Sequence, residues 1–208
     1  MEQRKDNKAW WRVYGEGLLG EVETRIYTNW QIIDTIPHEA RLERYGLDFG
    51  YSNDPSACVG IYYYNGGCIW DEVFFQKALS NKMIADLLQN QPKAIVIADS
   101  AEPKSIDEIY SYGITILPAN KGPGSLLQGI QNVQQQKISV TKRSVNILKE
   151  YRNYVWITDK DGRIVNEPID IYNHTMDAGR YALESLKPSE PVKPYIQPAA
   201  EPASIYGG

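Results

Sequence analysis

The sequence has 208 residues, 42% hydrophobic and 23% charged, with a formal charge of −4. That balance excludes a chain disordered throughout, and its acidity excludes polyanion binding by bulk charge, leaving only a local basic patch for such contact. No apolar run approaches the roughly 20 residues that span a bilayer, no signal-peptide pattern opens the chain, and Cys58 and Cys68 lack metal-ligand spacing; a cytosolic protein with reduced thiols and no membrane partner is expected.

Residues 1–44 have no sustained period of 3.6 or 2, and predict an extended arm with one or two short strands that packs across the domain that follows. The alternation in Tyr45-Gly46-Leu47-Asp48-Phe49-Gly50 predicts a half-buried strand, and Asn53-Asp54-Pro55 a turn. Residues 57–64 and 68–75 flank Asn65-Gly66-Gly67 and read as a β-hairpin. Ser80 can cap a helix with Met83, Ile84, Leu87 and Leu88 on one face. A short apolar strand over 94–98 ends at Asp99, and a helix over about 104–112 stops at Gly113. Strands over 114–117 and 138–140 alternate with helices over 125–136 and 144–152. A second hairpin covers 154–165, a last helix runs over about 172–186, and the proline-rich segment 187–208 predicts a flexible tail. This order gives an α/β fold, a mixed sheet with an antiparallel hairpin at one edge, flanked by helices.

Three aspartates stand out. Asp48 lies inside an apolar strand, where an ionised carboxylate needs a partner, a proton or a metal. Asp99 ends a buried strand, where ligands gather in α/β sheets, although a cap of the next helix is an equal reading. Asp177 and His174 are three apart on the last helix and share a face; alone, His174 reads as a surface histidine. If the sheet brings the carboxylates to one edge, they suit a hard divalent cation, and two such ions can drive in-line phosphodiester hydrolysis.

Four segments support that chemistry: Tyr45 to Gly50 with Asp54-Pro55, Ala98-Asp99-Ser100-Ala101-Glu102, Asn120 to Ser125, and His174-Thr175-Met176-Asp177-Ala178-Gly179-Arg180-Tyr181. In this order and spacing they resemble the C-terminal nuclease domain of the large terminase subunit of tailed bacteriophages and prophages, over about residues 10–186. The resemblance implies a ribonuclease H-like fold and an endonuclease that cuts concatemeric double-stranded DNA during genome packaging, using two Mg²⁺ or Mn²⁺ ions. It implies metal-binding and catalytic roles for Asp48, Asp99 and Asp177, with His174 and Asp54 as accessory metal residues and Lys121 beside the site. It also implies an upstream ATPase domain, the portal and the small terminase subunit as partners, and the bacterial host cytoplasm as location. The residues before Tyr45 resemble the segment that joins the two domains of the family. No GxxxxGK[ST] loop is present, so an isolated nuclease domain or the C-terminal part of a longer protein is expected.

For DNA contact, Lys137, Lys142, Arg143, Lys149 and Arg152 face one acid, Glu150, within 137–152. Such a run is either a solvated face or a phosphate track. Lys160 and Arg163 lie on the second hairpin, which resembles a hairpin near the family's active site. Rival readings are another ribonuclease H-like nuclease such as a junction resolvase, an actin- or sugar-kinase-like ATPase using Asp48-Phe49-Gly50, and a non-catalytic docking module.

Overall fold

The computed structural model describes residues 24–50 and 53–186. The expected tail over 187–208 and the aromatic and glycine groups before residue 24 lie outside the described residues. In chain order the elements are β1 (Gln31–Ile33), β2 (Arg41–Asp48), β3 (Pro55–Tyr64), β4 (Gly67–Lys77), α1 (Asn81–Gln89), β5 (Ile95–Ala98), α2 (Pro103–Ser111), β6 (Ile116–Pro118), α3 (Ser125–Gln134), β7 (Ile138–Thr141), α4 (Val145–Asn153), β8 (Trp156–Thr158), β9 (Ile164–Pro168) and α5 (His174–Glu184). Local chemistry explains several boundaries. Ser80 Oγ accepts from the Met83 amide at 3.2 Å and caps α1. Asn65 and Gly66 both have positive φ, which fits a tight hairpin turn whose twist matches its strands.

Seven strands form one sheet in the order β1-β7-β4-β3-β2-β5-β6, and β8 and β9 form a separate two-stranded sheet. β2, β3 and β4 are antiparallel in turn, while β5 and β6 extend the β2 side in parallel and β7 and β1 the β4 side. Two expectations change here. The β3–β4 hairpin is interior to the sheet and not at its edge, because β7 hydrogen-bonds the outer side of β4 and β1 the outer side of β7. That arrangement removes an unpaired edge from the long apolar strand β4. β2 also begins at Arg41 and not at Tyr45, since its ladder with β3 continues to the Arg41–Tyr63 pair.

The alternation of side chains divides the core between two faces. Tyr45 and Leu47 of β2, Cys58 of β3 and Val96 and Ala98 of β5 pack with Ile84, Leu88, Ile106 and Ile109 from α1 and α2. Val59, Ile61, Trp70 and Val140 pack on the opposite face with Ile130, Ile147, Met176 and Ala178 from α3, α4 and α5. Ile26 and Tyr27, which precede β1, belong to this second cluster. Helices on both faces of a mixed sheet thus bury two apolar layers.

Close approach fixes α5 against the strands. A Cβ at Gly46 would fall 1.7 Å from the Ala178 carbonyl oxygen, and one at Gly179 2.2 Å from the Trp70 ring. Only glycine at these places lets the helix backbone lie directly on β2 and the Trp70 indole lie against the helix.

Candidate active site

Strand parity aims the first two aspartates. Tyr45 and Leu47 point toward α1 and α2, so Gly46 and Asp48 point toward α5. In the parallel β2–β5 pair, Leu47 sits opposite Ala98, and the Asp99 amide donates to the Leu47 carbonyl at 3.0 Å. Asp48 and Asp99 therefore leave neighbouring strands at the same carboxyl-terminal edge. Ile97 packs with Tyr181 of α5, which puts the odd-numbered side of β5 on the α5 face as well.

The third aspartate comes from the first turn of α5. Asn173 precedes this helix but makes no side-chain cap. The cap comes from α4: Glu150 Oε2 accepts from the Thr175 amide at 2.6 Å and from its hydroxyl at 2.5 Å. Glu150 is 2% exposed, so this carboxylate serves the orphan donors of a buried helix end. Its position holds the turn that carries His174 and Asp177.

Each aspartate has a defined partner. His174 Nδ1 lies 2.9 Å from Asp48 Oδ2. Lys121 Nζ donates to Asp99 Oδ1 at 2.5 Å, the Ala101 amide donates to the same oxygen at 2.7 Å, and the Tyr181 hydroxyl lies 3.5 Å from Oδ2. Arg180 donates through Nη2 to Asp177 Oδ1 at 2.9 Å. Lys121 and Arg180 flank the Tyr181 ring, 5.1 and 4.7 Å from its centre.

Burial pushes the Asp48 carboxyl up to about 6; the charges of Asp177 and Asp99 add to this and the His174 hydrogen bond opposes it. Burial also raises Asp177, against the opposing charge of Arg180. Burial would lower His174, but its bond to Asp48 and the charges of Asp48, Glu150 and Asp54 more than reverse that. The three carboxylates lie within electrostatic reach of one another, and this concentration of negative charge is compensated by Lys121, Arg180 and His174. Among the described residues, no group of three or more His, Cys, Asp and Glu side chains is gathered to hold a metal ion as it stands. The donor set is nevertheless oxygen-rich and hard, and it fits a divalent cation in chemistry.

Of the other sequence-selected residues, Asp54 is exposed in the turn before β3 and acts on His174 through its charge. Lys142 and Arg143 follow β7 at the same sheet edge, three strand spacings from β2, or roughly 14 Å. Arg143 is committed to Asp71, a 2% exposed carboxylate that also accepts from the Thr141 hydroxyl, so its charge is compensated within the fold. Lys142 Nζ lies 3.9 Å from Asp34, and Lys149 sits over the Tyr172 ring. Lys160 and Arg163 occupy the exposed turn between β8 and β9. Glu150, Arg180 and Tyr181 join the site in the structure without a role that the sequence alone suggests. The signals for Arg180 are its place in the segment from His174 to Tyr181 and its helical spacing, three residues after Asp177 and four before Glu184. Glu150 reaches Thr175 from another helix, a pairing without a sequence signature.

The family described as the Terminase RNAseH like domain matches residues 48–185. The large terminase subunit of Bacillus phage SPP1 is 37% identical over 198 residues, an alignment covering 88% of this chain and 46% of that protein. The PBSX phage terminase large subunit of Bacillus subtilis (strain 168) is 26% identical, covering 85% of this chain and 44% of that one. The chain thus spans about half the length of these relatives. Among solved structures, the large terminase nuclease domain of bacteriophage SPP1 with bound Mn matches with a TM-score of 0.67 and 34% identity, covering 77% of this chain and 98% of that one. The large terminase nuclease of thermophilic phage G20c with bound cobalt shares the fold at 15% identity, with a TM-score of 0.58 and coverage of 79% and 99%. The chain belongs to the terminase RNase H-like family, and its seven-stranded mixed sheet with helices on both faces is the fold of large terminase nuclease domains.

Proposed function

We propose that this domain is the metal-dependent endodeoxyribonuclease of a phage or prophage large terminase, cutting double-stranded DNA at Asp48, Asp99 and Asp177. One observation carries the reading: β2 and β5 end side by side with Asp48 and Asp99 at the edge over which α5 lays Asp177. Asp48, Asp99 and Asp177 would hold two divalent ions, Mg²⁺ or Mn²⁺, with His174 and Asp54 as accessory groups. Bound there, the ions supply an activated water and charge stabilisation for the leaving oxygen of a phosphodiester. Asp48 and His174 share a hydrogen bond that can hold a proton at Nδ1. Lys121 balances Asp99 and lies on an exposed loop, where it would be available to a DNA phosphate if a cation balanced Asp99 instead. Lys160 and Arg163 on the β8–β9 turn, with Lys142, suit a sequence-independent phosphate track; Arg143 contributes less, being bound to Asp71.

Within the whole packaging machine, an upstream ATPase domain, the portal and the small terminase subunit are the proposed partners, and the bacterial host cytoplasm is the proposed setting. Supercoiled plasmid incubated with millimolar Mn²⁺ or Mg²⁺ tests the chemistry. Nicking and linearisation that EDTA abolishes, and that D48N, D99N and D177N each lose, support it. Plasmid left intact with either ion overturns catalysis by the domain alone.

A further inference from the structure

Arg180 sits where a cation is least expected in a site that would bind cations. It is 4% exposed, and its guanidinium donates through Nη2 at 2.9 Å and Nε at 3.3 Å to one oxygen, Asp177 Oδ1. Nη1 donates at 3.2 Å to Glu184 Oε1 one turn further along α5. The guanidinium lies 4.7 Å from the centre of the Tyr181 ring. Room for the arrangement comes from α3, where a Cβ at Gly129 would fall 1.7 Å from Glu184 Oε1 and 2.7 Å from Arg180 Cδ. A planar fork held on three sides has little freedom, so the carboxylate it grips has little either. Among the described residues, Asp177 Oδ2 has Asn173 Nδ2 at 3.4 Å, a long approach that constrains it weakly.

The geometry points to Arg180 as a positioning residue of the metal centre: it clamps Asp177 through Oδ1 and so offers Oδ2 to the ion. This rests on the reading of Asp177 as a metal ligand and adds the group that orients it. Two effects of the guanidinium have opposite signs, which makes the inference testable. As a neighbouring positive charge, Arg180 repels a divalent ion, and its removal alone would tighten binding. As a clamp, its removal frees the carboxylate to rotate and weakens binding, as loss of groups that orient metal ligands does by about 10- to 100-fold.

Mn²⁺ binding, followed by the free-ion EPR signal on the full chain, separates the two, with thermal melts run beside it. R180Q is expected to bind Mn²⁺ about 10- to 100-fold more weakly than the unsubstituted protein. R180K, which keeps a buried cation but lacks the fork, is expected to fall between them. R180Q affinity within twofold of the starting protein, or tighter, overturns the clamp even if the melting temperature falls. Should R180Q not fold, R180K decides by the same criterion: weaker binding supports the clamp and equal binding overturns it. D177N locates the failure. If D177N binds Mn²⁺ as well as the unsubstituted protein, the metal role of Asp177 fails and the clamp with it; if D177N loses binding and the Arg180 variants do not, only the clamp fails.

Discussion

Asp48 sits at a point of conflict. Its strand buries it, its neighbours Asp99 and Asp177 repel its charge, and only the His174 hydrogen bond and charge favour ionisation. The folded protein consequently holds the Asp48 proton up to about pH 6, above its ordinary value of 3.8. The folded state binds this proton more tightly than the unfolded chain, so the stabilisation is complete below about pH 4 and is lost as pH rises through 6. Metal-free protein should therefore lose stability between pH 4 and 7, on the order of 1–3 kcal/mol from this group, and D48N should flatten that slope in urea melts at stepped pH. A cation requires the ionised carboxylate, so Mn²⁺ affinity should move the other way, falling as pH drops below about 6. Calorimetric titration at pH 5 and 7.5 checks this, and equal affinities at the two values would contradict it.

At the level of elements, α5 is the component on which the site depends, and three features place it. Glu150 of α4 caps its first turn, Gly46 admits its backbone onto β2, and Gly179 accommodates Trp70. E150A would leave the Thr175 amide without its partner in a buried position, a loss of about 1–3 kcal/mol. Because that turn carries His174 and Asp177, plasmid cleavage should fall by more than the fraction of unfolded protein explains. G46A places a methyl group against a carbonyl that belongs to a helix and cannot yield locally. The expected cost is about 3 kcal/mol or more, read as a fall in the urea midpoint. A G46A protein as stable as the original would mean that α5 does not lie on β2 as described.

For the molecule as a whole, net acidity and local basic groups set how DNA is met. The formal charge of −4 keeps polyanions off most of the surface, so binding should be weak and steeply dependent on salt. Replacing Lys160 and Arg163 by Ala should lower affinity for any duplex alike. It should reduce the slope of log affinity against log salt by about 0.9 for each phosphate no longer neutralised, measured by fluorescence anisotropy from 50 to about 200 mM salt. R143A, by contrast, should act mainly on stability, since it leaves buried Asp71 without its cation. If R143A moved the salt slope and left the melt unchanged, the division between the two basic groups would be reversed.

Alternation and turn chemistry alone were enough to mark the β3–β4 hairpin, the Ser80-capped helix, the buried strand ending at Asp99 and the last helix, because each depends on forces between residues a few positions apart. Asp48 and Asp99 stood out for a related reason, since a carboxylate inside or at the end of an apolar strand is anomalous wherever the strand lies, and Asp177 stood out by its helical spacing from His174. Strand order was a different matter. That β7 covers the outer side of β4, and β1 that of β7, depends on which edges were free, and short strands such as Gln31–Ile33 carry no mark of their neighbour. The pairing of charges was equally hidden, since Lys121 with Asp99, Arg143 with Asp71 and Glu150 with Thr175 join residues far apart or on different elements. Hydrophobic periodicity is a local, repeated quantity that any short window records, whereas the partner of a buried charge is chosen only when the whole chain has closed around it.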